Sequence, residues 1–347
     1  MPILGTGVSQ PGLINQAGTE DALFLKLWAG EVQTAMDEIQ TMDRFHKVLP
    51  VINGKSRQFP SIGRITGAYH TRGNNILTDG PIEDFNHAEI EIFVDDVFYA
   101  ATFLSELDEL KNHYEVRSTY TKELAQALAS RNDRNALIAL ARGARSNTTS
   151  APDMIPTDLG TEGGGGFVDI AQAAASYTSA ELLAGLHSAG QILDEKSFPR
   201  NIPRFAPISP ADYWLLVDND DILNRDFGNT LGVRAMGQVW FAGGFELIMT
   251  NHLPTGTLAN PSGAGGTNSY YGIFGDGTDN TNYITTVFAG GDAIRTVQIK
   301  GTTLEVEYKM EYQGTPMLAK QARGTQPLQF PACVEIGDWG GTQGGLS

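Results

Sequence analysis

Two kinds of hydrophobic spacing alternate along this chain and predict a protein that combines helices with strands. After Thr19, apolar residues recur every three to four positions, which predicts an amphipathic helix that includes Trp28. The same spacing runs from Ser105 to about Arg142 and predicts a long helix that ends at Gly143. One short and one long helix are therefore expected in the first half of the chain.

Two further helices are predicted by the residues that precede them. Thr178 stands three residues before Glu181, which is the spacing of a capping box at the start of a helix. Ser209 is followed by Pro210, a favoured first residue of a helix, and a short helix is expected through Val217.

Alternation of apolar and polar residues predicts strands in other segments. Residues 89–92 alternate as a half-exposed strand does, and residues 244–250 are typical of a buried strand. In residues 304–312 every second side chain is apolar, from Leu304 to Tyr312. This pattern predicts a strand with one face in the core and the other in water.

The charged residues fall into two adjacent blocks of opposite sign. Residues 44–72 contain no acidic residue and six basic ones: Arg44, Lys47, Lys55, Arg57, Arg64 and Arg72. Residues 73–110 contain no basic residue and ten acidic ones: Asp79, Glu83, Asp84, Glu89, Glu91, Asp95, Asp96, Glu106, Asp108 and Glu109. Turn-forming residues interrupt the basic block, so we predict a long open hairpin. An arm of about 15 extended residues reaches roughly 50 Å, beyond the radius of a compact domain, and must lie on something else.

Two interpretations of these blocks remain open. The two arms of one hairpin could neutralise each other, since exposed ion pairs contribute only ~0–1 kcal/mol each. Alternatively, the basic arm of one copy lies across the acidic part of another copy, a head-to-tail contact that generates rings. The candidate inter-subunit contact residues are Lys55, Arg57, Arg64, Arg72, Glu89, Glu91, Asp95, Asp96 and Trp28.

Composition excludes several classes of protein. A formal charge of -16 argues against tight electrostatic binding of DNA, although the basic segment 44–72 keeps a nucleic-acid-binding protein as the alternative. Cys333 is the only cysteine, so an intramolecular disulfide is impossible. Gly54, Lys55 and Ser56 resemble the end of a phosphate-binding loop, but Leu49 occupies the position of its required glycine. We therefore expect no enzyme, no cofactor and no metal site.

Targeting signals are also missing from the sequence. The first residues have neither the basic nor the apolar region of a signal peptide, and no stretch approaches the ~18 apolar residues of a membrane span. We expect a chain made and used in a cytoplasm, without a membrane partner.

Several ordered strings of residues resemble the major capsid proteins of short-tailed bacteriophages of the autographivirus type. The strings are Ala22-Leu23-Phe24-Leu25-Lys26, Gly30-Glu31-Val32, Gly54-Lys55-Ser56, Gln58-Phe59-Pro60, Gly63-Arg64, Ala68-Tyr69, Asn112-His113-Tyr114-Glu115-Val116-Arg117-Ser118, Tyr120-Thr121 and Gly244-Phe245-Glu246 with His252-Leu253. They are densest over roughly residues 20–125.

This resemblance implies an α+β fold of the tailed-phage and herpesvirus capsid type. It implies an N-terminal arm with a short helix (1–43), an extended loop (44–92) and a peripheral domain with a long spine helix (93–150). An axial domain (151–300) would follow, and residues 301–347 would return to the peripheral domain and end in a tail.

The resemblance also implies a structural protein that assembles into hexamers and pentamers of an icosahedral shell around double-stranded DNA. Its partners would be further copies of itself, a scaffolding protein, a portal protein and, without sequence preference, the packaged DNA. Assembly would take place in the cytoplasm of the bacterial host, and the product would be the capsid shell of the virion.

Overall fold

The computed structural model describes residues 40–52, 54–62, 69–70, 72–75, 87–94, 97–107, 116–145, 164–170, 177–196, 198–218, 232–233, 238–254 and 283–337. Within them the helices are α1 (Val116–Arg145), α2 (Ser179–Glu195) and α3 (Pro210–Val217), with single 3-10 turns at Met42–Arg44 and Phe330–Ala332. No described helix is long and apolar enough to span a membrane.

Fourteen strands occur in the described residues: β1 (Lys47–Pro50), β2 (Ser56–Ile62), β3 (His87–Phe93), β4 (Phe98–Ser105), β5 (Gly166–Asp169), β6 (Arg204–Ile208), β7 (Gly232–Val233), β8 (Gln238–Val239), β9 (Phe241–Ala242), β10 (Phe245–Met249), β11 (Tyr283–Ala289), β12 (Ile294–Val306), β13 (Gly314–Pro327) and β14 (Cys333–Gly337). They form a four-stranded sheet in the order β1-β12-β13-β4 and a six-stranded sheet in the order β5-β14-β11-β6-β10-β9. Two separate ribbons pair β2 with β3 and β7 with β8.

Helix α1 contributes to the cores of both large sheets. Its Leu124 and Leu128 pack with Met317 of the four-stranded sheet. Residues 136–144 of the same helix share a second core with Phe288 of the six-stranded sheet. Helix α1 therefore joins two of the described cores, whereas a further core of the six-stranded sheet is formed with α2 and α3.

The predicted helix starts at residues 179 and 210 are confirmed. Thr178 accepts a hydrogen bond from the backbone N–H of Glu181, whose carboxylate accepts one from the backbone N–H of Thr178. Ser209 likewise caps α3 by accepting from the N–H of Asp212. Each cap satisfies donors that the first turn of a helix leaves without partners.

The end predicted for the long helix is wrong, because α1 continues through Gly143 to Arg145. Its predicted start, Ser105, is the last residue of β4, residues 106–107 are helical, and residues 108–115 lie outside the described part of the chain. A Cβ atom at position 143 would lie 3.0 Å from Pro327 and 3.2 Å from the sulfur of Cys333. The glycine therefore allows a close approach to β13 and β14 rather than ending the helix.

The strand predicted over residues 304–312 is also wrong in its extent and its burial. Strand β12 ends at Val306, and the chain then turns toward β13. The exposed fraction of the side chains rises from 43% at Leu304 to 82% at Met310. The alternation of apolar and polar residues indicates a strand with an apolar face, but it does not show whether the same chain covers that face.

The predicted hairpin is confirmed where it is described, because β2 and β3 pair in antiparallel fashion from Ser56 opposite Phe93 to Ile62 opposite His87. Its base packs on β13 through a glycine. A Cβ atom at Gly324 would lie 1.9 Å from the carbonyl oxygen of Phe93. No side chain fits there without moving the hairpin.

We expect Gly324→Ala to lower the free energy of unfolding by about 1–3 kcal/mol, because the new methyl group must push a backbone carbonyl aside. Denaturant unfolding of the variant and of the wild type measures this difference in free energy. Gly301→Ala in the neighbouring strand is the matched control, since its Cβ would meet only the flexible Gln298 side chain at 2.8 Å. Equal stability of the two variants would contradict the close packing at Gly324.

Candidate intermolecular contact surfaces

The β2–β3 hairpin places its opposite charges on different faces. Arg57 is opposed by Ile92, whereas Glu91 is opposed by Gln58 and Glu89 by Pro60. Opposed residues of an antiparallel pair lie on the same face, and neighbours along a strand alternate. The register therefore separates Arg57 from Glu89 and Glu91, and these residues do not neutralise each other.

Arg57 has an internal role at the base of the hairpin, although its side chain is exposed. One terminal nitrogen donates a hydrogen bond to the carbonyl oxygen of Pro50 at 3.2 Å. Its guanidinium lies 5.8 Å from the centre of the Phe59 ring, and that of Arg295 lies 5.6 Å from the same ring. Cations at this distance from an aromatic face are attracted to it. Arg57 thus helps to hold β2 against the end of β1.

The other described candidates differ in exposure. Lys55, Arg72 and Glu89 are exposed, and within the described residues none of the three forms an ion pair. Glu91 is half-buried and accepts a hydrogen bond from the hydroxyl of Ser56. The remaining candidates, Arg64, Asp95, Asp96 and Trp28, lie outside the described residues.

A buried carboxylate of α1 fixes the chain just before the hairpin. Asp133 is 0% exposed and accepts hydrogen bonds from the backbone N–H of Thr41 at 2.7 Å and of Met42 at 3.1 Å. The oxygen that accepts from the N–H of Thr41, Oδ2, also lies 3.2 Å from the hydroxyl of Thr41 and 3.4 Å from Nδ1 of His252. Asp133 therefore anchors Thr41 and Met42 to α1, just before β1.

A second set of polar contacts continues this anchor toward β1. Nδ1 of His46 lies 2.9 Å from the carbonyl oxygen of Met42, and Nε2 lies 2.7 Å from the hydroxyl of Thr296. Burial lowers the pKa of His46, which favours the neutral ring. Arg323 donates to Asp43 at 2.8 Å. Both ends of the segment that leads into the hairpin are therefore tied to the four-stranded sheet.

The end of the β12–β13 hairpin carries an exposed apolar surface that the sequence assigned to the core. Tyr308 is 49% exposed, Met310 82% and Tyr312 67%. The hydroxyl of Tyr308 donates to Glu106 at 2.7 Å, which links this tip to the end of β4. Contiguous exposed apolar side chains are typical of interaction sites.

A buried ion pair joins the last turn of α1 to the six-stranded sheet. The guanidinium of Arg145 makes two hydrogen bonds of 2.7 Å to the two carboxylate oxygens of Glu335. Burial raises the pKa of Glu335, and the hydrogen bonds from Arg145 oppose that rise. Because both oxygens of the Glu335 carboxylate accept from Arg145, its buried charge is compensated.

Sequence reasoning missed Asp133, His252 and the Arg145–Glu335 pair. Their partners stand 91 to 190 positions away in the chain, so no local spacing marks them. A single acidic residue in the otherwise basic second half of α1 was the one available signal for Asp133. Among the described residues, no group of three or more His, Cys, Asp or Glu side chains could hold a metal ion.

Comparison with known proteins agrees with this architecture. The family model of the Gp10A-like major capsid protein matches residues 58–337. This chain belongs to that family. The major capsid protein of Escherichia phage T7 is 28% identical over 95% of this chain and 96% of its own, and that of Enterobacteria phage T3 is 26% identical over 91% of each.

Solved capsids have the same fold as this capsid protein. The capsid structure of cyanophage P-SCSP1u matches with a TM-score of 0.77 and 31% identity over 94% of this chain and 97% of that chain. The mature capsid of bacteriophage PhiM1 matches with a TM-score of 0.73 and 16% identity over 94% and 95%. The α+β capsid fold, the role in the virion shell and the assembly with further copies of itself are confirmed, and the comparisons give the nucleic-acid-binding alternative no support.

We expect Asp133→Ala to lower the free energy of unfolding of this capsid protein by about 3 kcal/mol, because buried N–H groups left without an acceptor cost ~1–3 kcal/mol each. Denaturant unfolding is the measurement. Asp133→Asn is the matched control, since its amide keeps one oxygen acceptor, and it should lose about half as much. A neutral effect of Asp133→Ala would show that the anchor carries no stability.

We expect Arg145→Met to lower the free energy of unfolding by about 3–5 kcal/mol, because Glu335 then lies buried without its partner. The double variant Arg145→Met/Glu335→Leu should recover most of this loss. The single variant should also be less stable at pH 7 than at pH 5. The pKa of Glu335 is raised in the folded state, so the folded protein loses stability as this carboxyl ionises. The loss begins near the unfolded carboxyl pKa of ~4.3 and grows as the pH rises toward the folded value. If the changes in the free energy of unfolding of the two single variants simply add up in the double variant, the coupling between Arg145 and Glu335 is contradicted.

Proposed function

We propose that this capsid protein closes into hexamers and pentamers because the basic segment 44–72 of one copy lies on the acidic segment 73–110 of the next. The observation that carries this proposal is the exposure of Lys55 and Arg72 without an ionic partner in the described part of their own chain. The hairpin register supports it, since the acidic face and Arg57 are turned away from each other. Charges that have no partner in the described part of the chain are available to a neighbour.

The same proposal assigns parts of the chain to positions in the shell. Residues 1–43 serve as an arm, 44–92 as the extended loop, and 93–150 as the peripheral domain built on α1. Residues 151–300 surround the centre of the capsomer, and 301–347 return to the peripheral domain. The shared core of α1 with both large sheets supports the role of α1 as the central helix of this arrangement.

Other partners follow from the role of a shell. We include a scaffolding protein, a portal protein and double-stranded DNA held without sequence preference. A formal charge of -16 disfavours strong adhesion of the shell to DNA phosphates, which suits a container that must release its contents. No catalytic step is included in this function.

We expect the double variant Lys55→Glu/Arg72→Glu to assemble at least tenfold less efficiently, since like charges across a contact cost several kcal/mol. Its melting temperature should not change, because both side chains are exposed. Electron microscopy and sedimentation of the full-length protein, with wild type assembled in parallel, give the yield of closed shells.

The matched control is Lys122→Glu/Arg200→Glu, which makes the same change of net charge at two exposed positions outside both the basic block and the tip of the β12–β13 hairpin. It should assemble as wild type does. Equal yields from the two double variants would refute the assignment of the contact to the basic segment. Raising the ionic strength should also lower the wild-type yield, because salt screens exposed charges beyond a few ångströms.

A further inference from the structure

His46 is a buried histidine, and both nitrogens of its ring have partners. The side chain is 1% exposed. Nδ1 lies 2.9 Å from the carbonyl oxygen of Met42, and because a carbonyl group can only accept a hydrogen bond, Nδ1 carries a proton. Nε2 lies 2.7 Å from the hydroxyl of Thr296, which itself lies 2.8 Å from the hydroxyl of Thr325. Both threonines are buried, so the ring is enclosed by groups whose hydrogen-bonding roles are known.

These contacts suit a neutral ring. When the ring is neutral, Nε2 has no proton and accepts from the hydroxyl of Thr296, whose oxygen in turn accepts from the hydroxyl of Thr325. Uptake of a proton turns Nε2 into a donor, and both hydroxyl groups must then reverse their direction. The added proton also brings a full positive charge into a site that is closed to water, which is unfavourable. Protonation of His46 is therefore opposed while its surroundings stay in place.

The charged groups around His46 do not compensate a positive charge on its ring. Oδ1 of Asp43 lies 3.8 Å from Nε2, and the other oxygen of that carboxylate already accepts from Arg323 at 2.8 Å. Asp133 of α1 attracts a protonated ring and Arg323 of β13 repels it, but burial outweighs both and lowers the pKa of His46. Other charges on the same elements are exposed or have partners of their own: Arg44 is exposed, Lys47 and Arg295 lie beside Asp292, and His252 lies beside Asp133.

Strand β1, which follows His46 directly, is attached to the four-stranded sheet with little burial. It lies at the edge of the sheet and pairs only with β12, over four residues. None of its four side chains is buried. Segments with few buried apolar contacts open at a low cost in free energy. A penalty placed on His46 is therefore most easily relieved by detaching β1, whereas the contacts of Asp133 with the N–H groups of Thr41 and Met42 involve no histidine ring and stay in place.

We propose that His46 is a proton-sensitive latch, which holds β1 on β12 while its ring is neutral and lets β1 detach when the ring takes up a proton. The latch is a property of the folded subunit and does not rest on the proposed function. Strand β1 leads into the β2–β3 hairpin, and Arg57 of β2 donates to the carbonyl oxygen of Pro50 at the end of β1. Detachment of β1 therefore removes one of the contacts that hold the base of this hairpin.

The direction of the pH effect follows from the number of protons that each state binds. In the detached state the ring of His46 is in water and titrates near the ordinary histidine pKa of ~6.5, whereas in the attached state burial lowers its pKa. The attached state therefore binds fewer protons at acidic pH. Its stability relative to the detached state is constant well above pH ~6.5 and falls as the pH drops below that value, until the pKa of the attached state is reached.

Hydrogen–deuterium exchange of the full-length protein, followed by mass spectrometry between pH ~7.5 and pH ~5.5, tests the latch. Exchange of the backbone amides, corrected for the intrinsic effect of pH on the exchange rate, measures the protection of residues 47–51. This range contains β1 and the N–H of Val51, which donates to the carbonyl oxygen of Gln298 at 2.9 Å. Exchange of the hydrogen on the ring carbon between the two nitrogens measures the protonation of each histidine in the same samples.

The expected result for the wild type is a loss of protection of about five- to tenfold at residues 47–51 between these two pH values, since opening takes up one proton. The protection of α1 should stay unchanged, and the ring of His46 should be neutral at pH 7. The variant His46→Gln, whose side chain does not titrate, should show less than about a twofold change in protection at residues 47–51. The matched control is His187→Gln, which removes an exposed histidine of α2 and should keep the wild-type pH dependence.

Three results would overturn the inference: constant protection of residues 47–51 in the wild type, an equal loss of protection in α1, which would indicate acid unfolding of the whole subunit, or a His46→Gln variant that keeps the wild-type pH dependence. If His46→Gln does not fold, the ring measurement on the wild type decides, because a His46 ring that is already protonated at pH 7 contradicts the latch. None of these results bears on the proposed function, which is judged by the yield of closed shells.

Discussion

Helix α1 links the two large sheets of the described structure, because it packs on both of them. The 30 residues of α1 span about 45 Å, and its apolar side chains pack on the four-stranded sheet through Leu128 and on the six-stranded sheet through Leu137. Neither sheet can shift without exposing one half of that helix. Asp133 lies on the same helix and fixes the chain before the hairpin, while Arg145 fixes the sheet at its other end. Apolar packing and these buried polar contacts therefore hold the described elements together along α1.

The sequence was informative where the cause of a structure is local. The caps at Thr178 and Ser209 were predicted because a helix start depends on side chains within four residues of each other. The hairpin was predicted because turn-forming residues and alternation occur next to each other in the chain. The family resemblance supplied the global arrangement, which spacing alone could not have provided.

The errors arose where a structure depends on distant residues. Alternation over 304–312 marks an apolar face, yet whether the chain covers that face is decided by tertiary packing, and Met310 is left exposed. Gly143 was taken as a helix end, but the approach of Cys333 makes it a packing position within the helix. Whether Arg57 neutralises Glu91 could be decided only from the strand register, which sets the two residues on different faces.

The charge blocks are better understood as a source of specificity than of stability. Exposed ion pairs contribute little free energy. In the proposed contact, two acidic segments repel each other when they meet, whereas the basic segment 44–72 of one copy is attracted to the acidic segment 73–110 of the next. Charge of one sign therefore disfavours the wrong pairing and favours the right one, which a shell built from identical copies requires at every contact.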